Sequence, residues 1–124
     1  MARSQDRARR KPSGGRYHTS RSKKKAELVG FPAMTKVAEK RTRVKRVIGG
    51  NVKVSTLGVK NVNVSDKKGK TQKTEIVNVL ENPANPNLVR RNVVTKGAIV
   101  ETKLGKAKIT SRPGQEGSVT AVLI

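Results

Sequence analysis

The 124-residue sequence contains no cysteine, no tryptophan and a single histidine, His18. The missing thiols exclude a disulfide framework, a thiolate metal site and a cysteine nucleophile. One imidazole excludes any metal or catalytic arrangement built on two histidines. Aromatic side chains are reduced to Tyr17, Phe31 and nothing else. No candidate strand therefore carries a platform on which bases stack, the usual device of sheets that bind single-stranded nucleic acid. No apolar run approaches the ~18 residues of a membrane-spanning helix. The basic start is not followed by the apolar segment of a secretory signal. Acid is scarce too: 8 Asp and Glu stand against 29 Lys and Arg, for a formal net charge of +21. Asp6, Glu27, Glu39, Asp66, Glu75, Glu81, Glu101 and Glu116 are spread thinly, each near Lys or Arg, and read as local charge compensation rather than catalytic pairs. These absences predict a soluble, cytoplasmic protein that is not an enzyme, needs no cofactor or metal, and has a polyanion as its partner.

The charge and the apolar residues occupy different parts of the chain. Residues 1–43 hold three of the large aliphatics, Leu28, Val29 and Val37, whereas residues 44–124 hold 25. Residues 1–25 carry ten Lys and Arg against Asp6 alone. An arm of that composition buries too little apolar surface to offset the entropy of ordering it, and is expected to be disordered when free. Extended, such a segment reaches roughly 80 Å at ~3.3 Å per residue. The expected organisation is a basic, largely irregular extension over residues 1–40 and a β-barrel domain over residues 41–124.

Within that domain the pattern is one of strands. Lys106–Ser111 and Ser118–Ile124 alternate apolar and polar residues, and Arg112-Pro113-Gly114-Gln115-Glu116-Gly117 between them has strong turn chemistry. Gly49-Gly50-Asn51 joins Arg43–Ile48 to Val52–Leu57 as a hairpin, and the polar Ser65–Lys70 stretch joins Val59–Val64 to Gln72–Leu80 as another. The loop Glu81–Asn87 contains Pro83 and Pro86, which cannot extend a ladder. Leu88–Thr95 and Ala98–Lys103 complete about eight short, mainly antiparallel strands, many of them rich in Val, whose β-branching suits pleated surfaces. Strands at this spacing predict a small barrel or sandwich. A short helical turn is expected over Thr35–Lys40, after Pro32.

The candidate contacts to nucleic acid follow the basic clusters. In the arm they are Arg3, Arg7, Arg9, Arg10, Lys11, Ser13, Gly14, Gly15, Arg16, Tyr17, His18, Arg21, Lys23, Lys24 and Lys25. Arg forks bind phosphates bidentately, and Gly-Gly lets backbone N–H groups approach an anion. A second cluster is Lys36, Lys40, Arg41, Arg43, Lys45 and Arg46; Arg43 and Lys45 flank Val44, which predicts a cationic strand face over an apolar underside. Lys67, Lys68 and Lys70 form a third cluster at a hairpin tip. Gly69-Lys70-Thr71 matches the end of a phosphate-binding P-loop, but Val64 stands where that motif requires its first glycine. With no stacking platform, recognition must rest on phosphates, sugars and shape, which suits folded RNA.

Several segments together resemble one family. Arg10-Lys11-Pro12-Ser13-Gly14-Gly15, followed by basic residues and Glu27-Leu28, is similar to the N-terminal motif of the S8e ribosomal proteins, small-subunit proteins of archaea and eukaryotes. Phe31-Pro32-Ala33 with Thr35-Lys36, Gly49-Gly50-Asn51, Asn85-Pro86-Asn87-Leu88-Val89-Arg90-Arg91 and Thr110–Gly117 continue the resemblance in order across nearly the whole chain. The sequence departs from the family pattern at Glu27-Leu28-Val29-Gly30, where glycine more often follows the aliphatic residue directly. The long insertion and C-terminal extension of eukaryotic members are not seen, which implies the archaeal type. The resemblance implies a β-barrel with a basic extension threaded into small-subunit rRNA. It also implies a structural role beside neighbouring small-subunit proteins, with no membrane and no homo-oligomer. Non-specific coating of DNA or RNA, and a transiently bound barrel of translation-factor type, remain as alternatives.

Overall fold

The computed structural model describes residues 7–66 and 68–124. Arg3 and Lys67, both candidates for RNA contact, lie outside the described residues. The chain divides into two compact units between Pro32 and Ala33.

In the second unit, β3 (Val52–Val59) is the centre of a three-stranded sheet. It is flanked by the parallel β1 (Lys36–Val37) and the antiparallel β2 (Arg41–Arg46). Then β4 (Asn61–Ser65), β5 (Thr71–Glu81), β6 (Ile99–Thr102), β7 (Gly105–Ile109) and β8 (Thr120–Leu123) close into a barrel in that order. Neighbouring barrel strands are antiparallel except β4 and β8, whose parallel pairing of Asn63–Ser65 with Thr120–Val122 shuts the ring. Full closure leaves no open sheet edge.

Period-two patterning explains the inside of the barrel. Val62 and Val64 are buried between the outward Asn61, Asn63 and Ser65. On β5 the buried set changes phase, from Thr74 and Ile76 to Val79. A register irregularity between Ile76 and Asn78 leaves Val77 as the extra residue, so that Val77 and Asn78 are both outward and Val79 turns in. The core consists of Val, Ile and Ala, with Ala98, Ala107 and Ala121 essentially inaccessible to solvent. Five strands enclose a lumen narrower than that of the common eight-stranded barrels. A core without aromatics is what such a lumen accommodates. Among the described residues, no helix is long and apolar enough to cross a membrane.

Three sequence expectations are corrected. Leu88–Thr95 is not a strand: Pro86–Leu88 is a 3-10 turn, capped by the Asn85 side chain accepting from Asn87 N at 2.9 Å. The segment is held instead through buried Asn82, whose Nδ2 donates to Val93 O at 3.3 Å and whose Oδ1 accepts from Thr95 Oγ1 at 2.9 Å. Side-chain bonds of this kind compete with a ladder. Thr35–Lys40 is not a helical turn, because Lys36 and Val37 pair with Gly58 and Val59 and the buried Thr35 donates its hydroxyl to Thr56 O. The apolar underside expected beneath β2 is not covered either. Val44 is 64% exposed, and every residue of β2 is open to solvent.

The base of the β2–β3 hairpin is anchored by the Arg112–Gly117 turn. Thr56 N donates to Pro113 O at 2.8 Å, and Thr56 Oγ1 donates to Glu116 O at 2.9 Å. Gly58 lies where β1 and β2 both approach β3, and a Cβ there would collide with the carbonyl oxygen of Glu39.

The first unit is built differently. Arg10 and Arg16 form an antiparallel bridge, Lys11 N donates to Gly15 O at 2.8 Å, and Tyr17 N donates to Arg9 O at 3.0 Å. Gly14 closes this turn at φ 84°, a left-handed conformation open to glycine at no steric cost. Of its described residues only Glu27 and Leu28 are even half-buried.

Candidate nucleic-acid interface

In the arm, the turn at Lys11–Gly15 folds the chain back and places cations on both of its limbs. Arg10 Nη1 donates to Gly14 O at 2.9 Å, and the Arg7 guanidinium stands 4.2 Å from the centre of the Tyr17 ring. Lys11 Nζ lies 5.5 Å from the same centre. Cation–π attraction gives the sole tyrosine a structural use: it organises two of the cations around it. A cavity of about 300 Å³ opens here, lined by Arg7, Arg9, Arg16, Tyr17, His18, Arg21, Lys23 and Glu27 among others. Glu27, the one carboxylate in this lining among the described residues, is engaged, because Arg21 grips it through both guanidinium nitrogens. The Arg21 hydrogen bond, with its charge, holds the Glu27 carboxyl below the ordinary carboxylate range. Ser13, Gly15, Lys24 and Lys25 are exposed on the same unit.

The second cluster sits on the β2–β3 hairpin of the other unit. Arg43 and Lys45 share one face of β2, and the register sets Lys45 directly opposite Lys53. Like charges across an antiparallel pair repel one another. Among the described residues, no carboxylate within ion-pairing distance compensates them. Arg46 falls on the opposite face of β2 with Val44, and its cross-strand partner is Val52. Arg41 enters the strand at a register irregularity, Lys40 precedes it, and Lys36 lies on β1. Lys68 and Lys70 are exposed at the β4–β5 turn, where Asp66 N donates to Lys70 O at 2.8 Å.

Outside the arm, local compensation is seen at one acid. Glu75 on β5 receives Lys103 at 2.6 Å and Lys60 at 3.4 Å. Hydrogen bonds from Lys103 first and Lys60 second pull its pKa down. Among the described residues, no three His, Asp or Glu side chains converge as metal ligands.

Ribosomal protein S8e is the family that matches, over residues 4–124. The chain belongs to this family. The small ribosomal subunit protein eS8 of Methanocorpusculum labreanum is 58% identical over 116 residues, 93% of each chain. The proteins of that name from Methanoculleus marisnigri and Methanobrevibacter smithii are 51% and 50% identical, over 97% and 100% of each chain respectively. As a member of the S8e family, the chain is a structural, non-enzymatic ribosomal component.

In this S8e chain, the clusters anticipated from sequence fall at three places, the arm turn, the β2–β3 hairpin with β1, and the β4–β5 turn. Lys53, Lys60 and Lys73 were not anticipated. Lys53 was accessible in principle: a Gly-Gly-Asn turn fixes the hairpin register and so places it against Lys45. Lys60 and Lys73 carry no local signal, being isolated lysines in apolar or polar stretches.

Proposed function

We propose that this S8e protein is a structural constituent of the small ribosomal subunit, and that it binds and stabilises small-subunit rRNA through phosphate and shape contacts. Within the basic extension expected over residues 1–40, the part preceding Ala33 acts as the RNA-binding arm, and the body that follows carries β1, the β2–β3 hairpin and the barrel β4–β8. The protein resides in the cytoplasm within that subunit, beside neighbouring small-subunit proteins, without membrane or self-association. The supporting relatives carry the small-subunit name. The observation that carries the RNA contact is β2, a strand exposed along all its length, bearing cations set against a lysine of β3. Burial within this chain does not account for such a strand. A polyanion does, because phosphates neutralise the repulsion and cover the exposed surface.

The arm supplies the second contact. Its ordering on RNA is compensated by counterions released from each phosphate it neutralises. Deleting residues 1–25 is expected to remove most of the affinity for small-subunit rRNA and most of its salt dependence, while far-UV circular dichroism still reports the β fold. An unchanged affinity and salt slope would refute the role of the arm. Equal affinity for rRNA and random duplex DNA in competition would favour a non-specific coating protein instead.

A further inference from the structure

Given the RNA-binding function proposed above, on which this rests, we propose that a cleft on the barrel wall is a second, arm-independent RNA site that takes one phosphodiester and its ribose. The cleft, about 220 Å³ in volume, lies where the base of the β2–β3 hairpin meets β4, β5 and the segment before β8. Lys40, Lys60 and Lys73 line it, with Asn61, Asn63 and Ser118 between them. Its floor is apolar and rigid, since Val59 and Val119 are core residues. No acid lines it.

Two of the three lysine charges in this cleft are uncompensated among the described residues. Glu75 holds Lys103 at 2.6 Å and reaches Lys60 only at 3.4 Å. Lys40 and Lys73 have no ion-pair partner among the described residues. Lysine is a compact point charge with rotatable donors, suited to phosphate oxygens. Strand geometry places the amides: Asn61 and Asn63 alternate with buried Val62 and Val64, so both face outward, and Asn63 is the cross-strand partner of Lys73. A carboxamide both donates and accepts hydrogen bonds, as does a ribose 2′-hydroxyl, the group that distinguishes RNA from DNA. The cleft has no aromatic lining on which a base would stack. Sugar and phosphate are therefore what its chemistry fits.

The test uses the full-length chain and small-subunit rRNA across a salt series. The exposed double substitution K40Q/K73Q is expected to lower the logarithmic salt slope by about 0.7–0.9 per lysine. N61A/N63A is expected to weaken rRNA binding roughly fivefold at unchanged slope, as lost neutral hydrogen bonds do, and to leave binding to duplex DNA of matched length unaltered. K106Q/K108Q serves as control, because β7 lies across the ring from the β4–β5 pair and carries the same loss of charge. A slope and affinity for K40Q/K73Q equal to those of the unsubstituted protein would overturn the site. An equal loss in K106Q/K108Q would overturn it as well, by assigning the effect to net charge. Normal rRNA binding by K40Q/K73Q with poor retention in assembled subunits would point to an acidic protein partner and reject RNA. If deleting residues 1–25 weakens binding while the cleft variants do not, the cleft alone is wrong. If the unsubstituted chain shows no salt-dependent rRNA binding, the proposed function fails with it.

Discussion

At the residue scale, two positions test how the body is held together. The Glu75 carboxyl is lowered from the ordinary 4.5 by Lys103 and then Lys60. A folded-state pKa below the unfolded one contributes stability that is complete above the ordinary carboxylate range. That contribution is lost as the pH falls through the lowered value. The melting temperature of E75Q is accordingly expected to lie below that of the unsubstituted protein at neutral pH, and the gap should close under acid conditions. A gap that persists at low pH would assign the effect to packing. Gly58 is the steric counterpart. A methyl group there meets the backbone oxygen of Glu39, which is not a flexible side chain able to move aside. Gly58→Ala is expected to destabilise the fold by about 1–3 kcal/mol, the range of overpacking, in denaturant titrations. A neutral result would mean that the strands around Gly58 yield readily.

At the element scale, the β2–β3 hairpin separates stability from binding. Lys45 faces Lys53 across the ladder, so K53E converts a repulsive pair into an attractive one. Cross-strand charge pairs contribute roughly 0.2–1 kcal/mol, and the variant is expected to melt at a higher temperature in the absence of RNA. Its rRNA affinity should fall, because one cation is lost and an anion is added at the contact surface. Thermal melts and a binding titration on the same sample read both effects. A simultaneous gain in stability and affinity would remove the hairpin from the interface. The exposed apolar residues of this element, Val44, Ile48 and Val52, share its dependence on what covers it: Ile48 is 94% exposed.

At the scale of the whole molecule, +21 charges on 124 residues make the compact state self-repelling. Raising monovalent salt from low to physiological strength shortens the Debye length to about 8 Å. The melting temperature of the free protein is therefore expected to rise over that interval. Removing residues 1–25, which hold ten of the cations, should flatten the rise. A melting temperature independent of salt would show that the charges are already too far apart to matter.

What the sequence by itself determined was local or compositional. The period-two pattern in Val62-Asn63-Val64 assigns strand and face, because alternation is a property of any pleated strand. Gly49-Gly50-Asn51 and Arg112–Gly117 mark turns through their own dihedral preferences, and an arm with almost no aliphatic residue cannot build a core. The order of motifs along the chain was sufficient to suggest the S8e family. Tertiary structure decided what depends on distant partners. Leu88–Thr95 has the composition of a strand, yet the buried amide of Asn82 claims Val93 and Thr95 and holds the segment as turns. Lys36–Val37 became strand by pairing with Gly58 and Val59, and β2 lost its expected underside because only the base of the hairpin meets the Arg112–Gly117 turn. Lys40, Lys60 and Lys73 are far apart in sequence, and only closure of the barrel against the hairpin gathers them into one cleft. The physical reason is common to all of these: a residue's own dihedrals and period are carried in its neighbourhood, whereas burial and charge clustering are set by which strands pair.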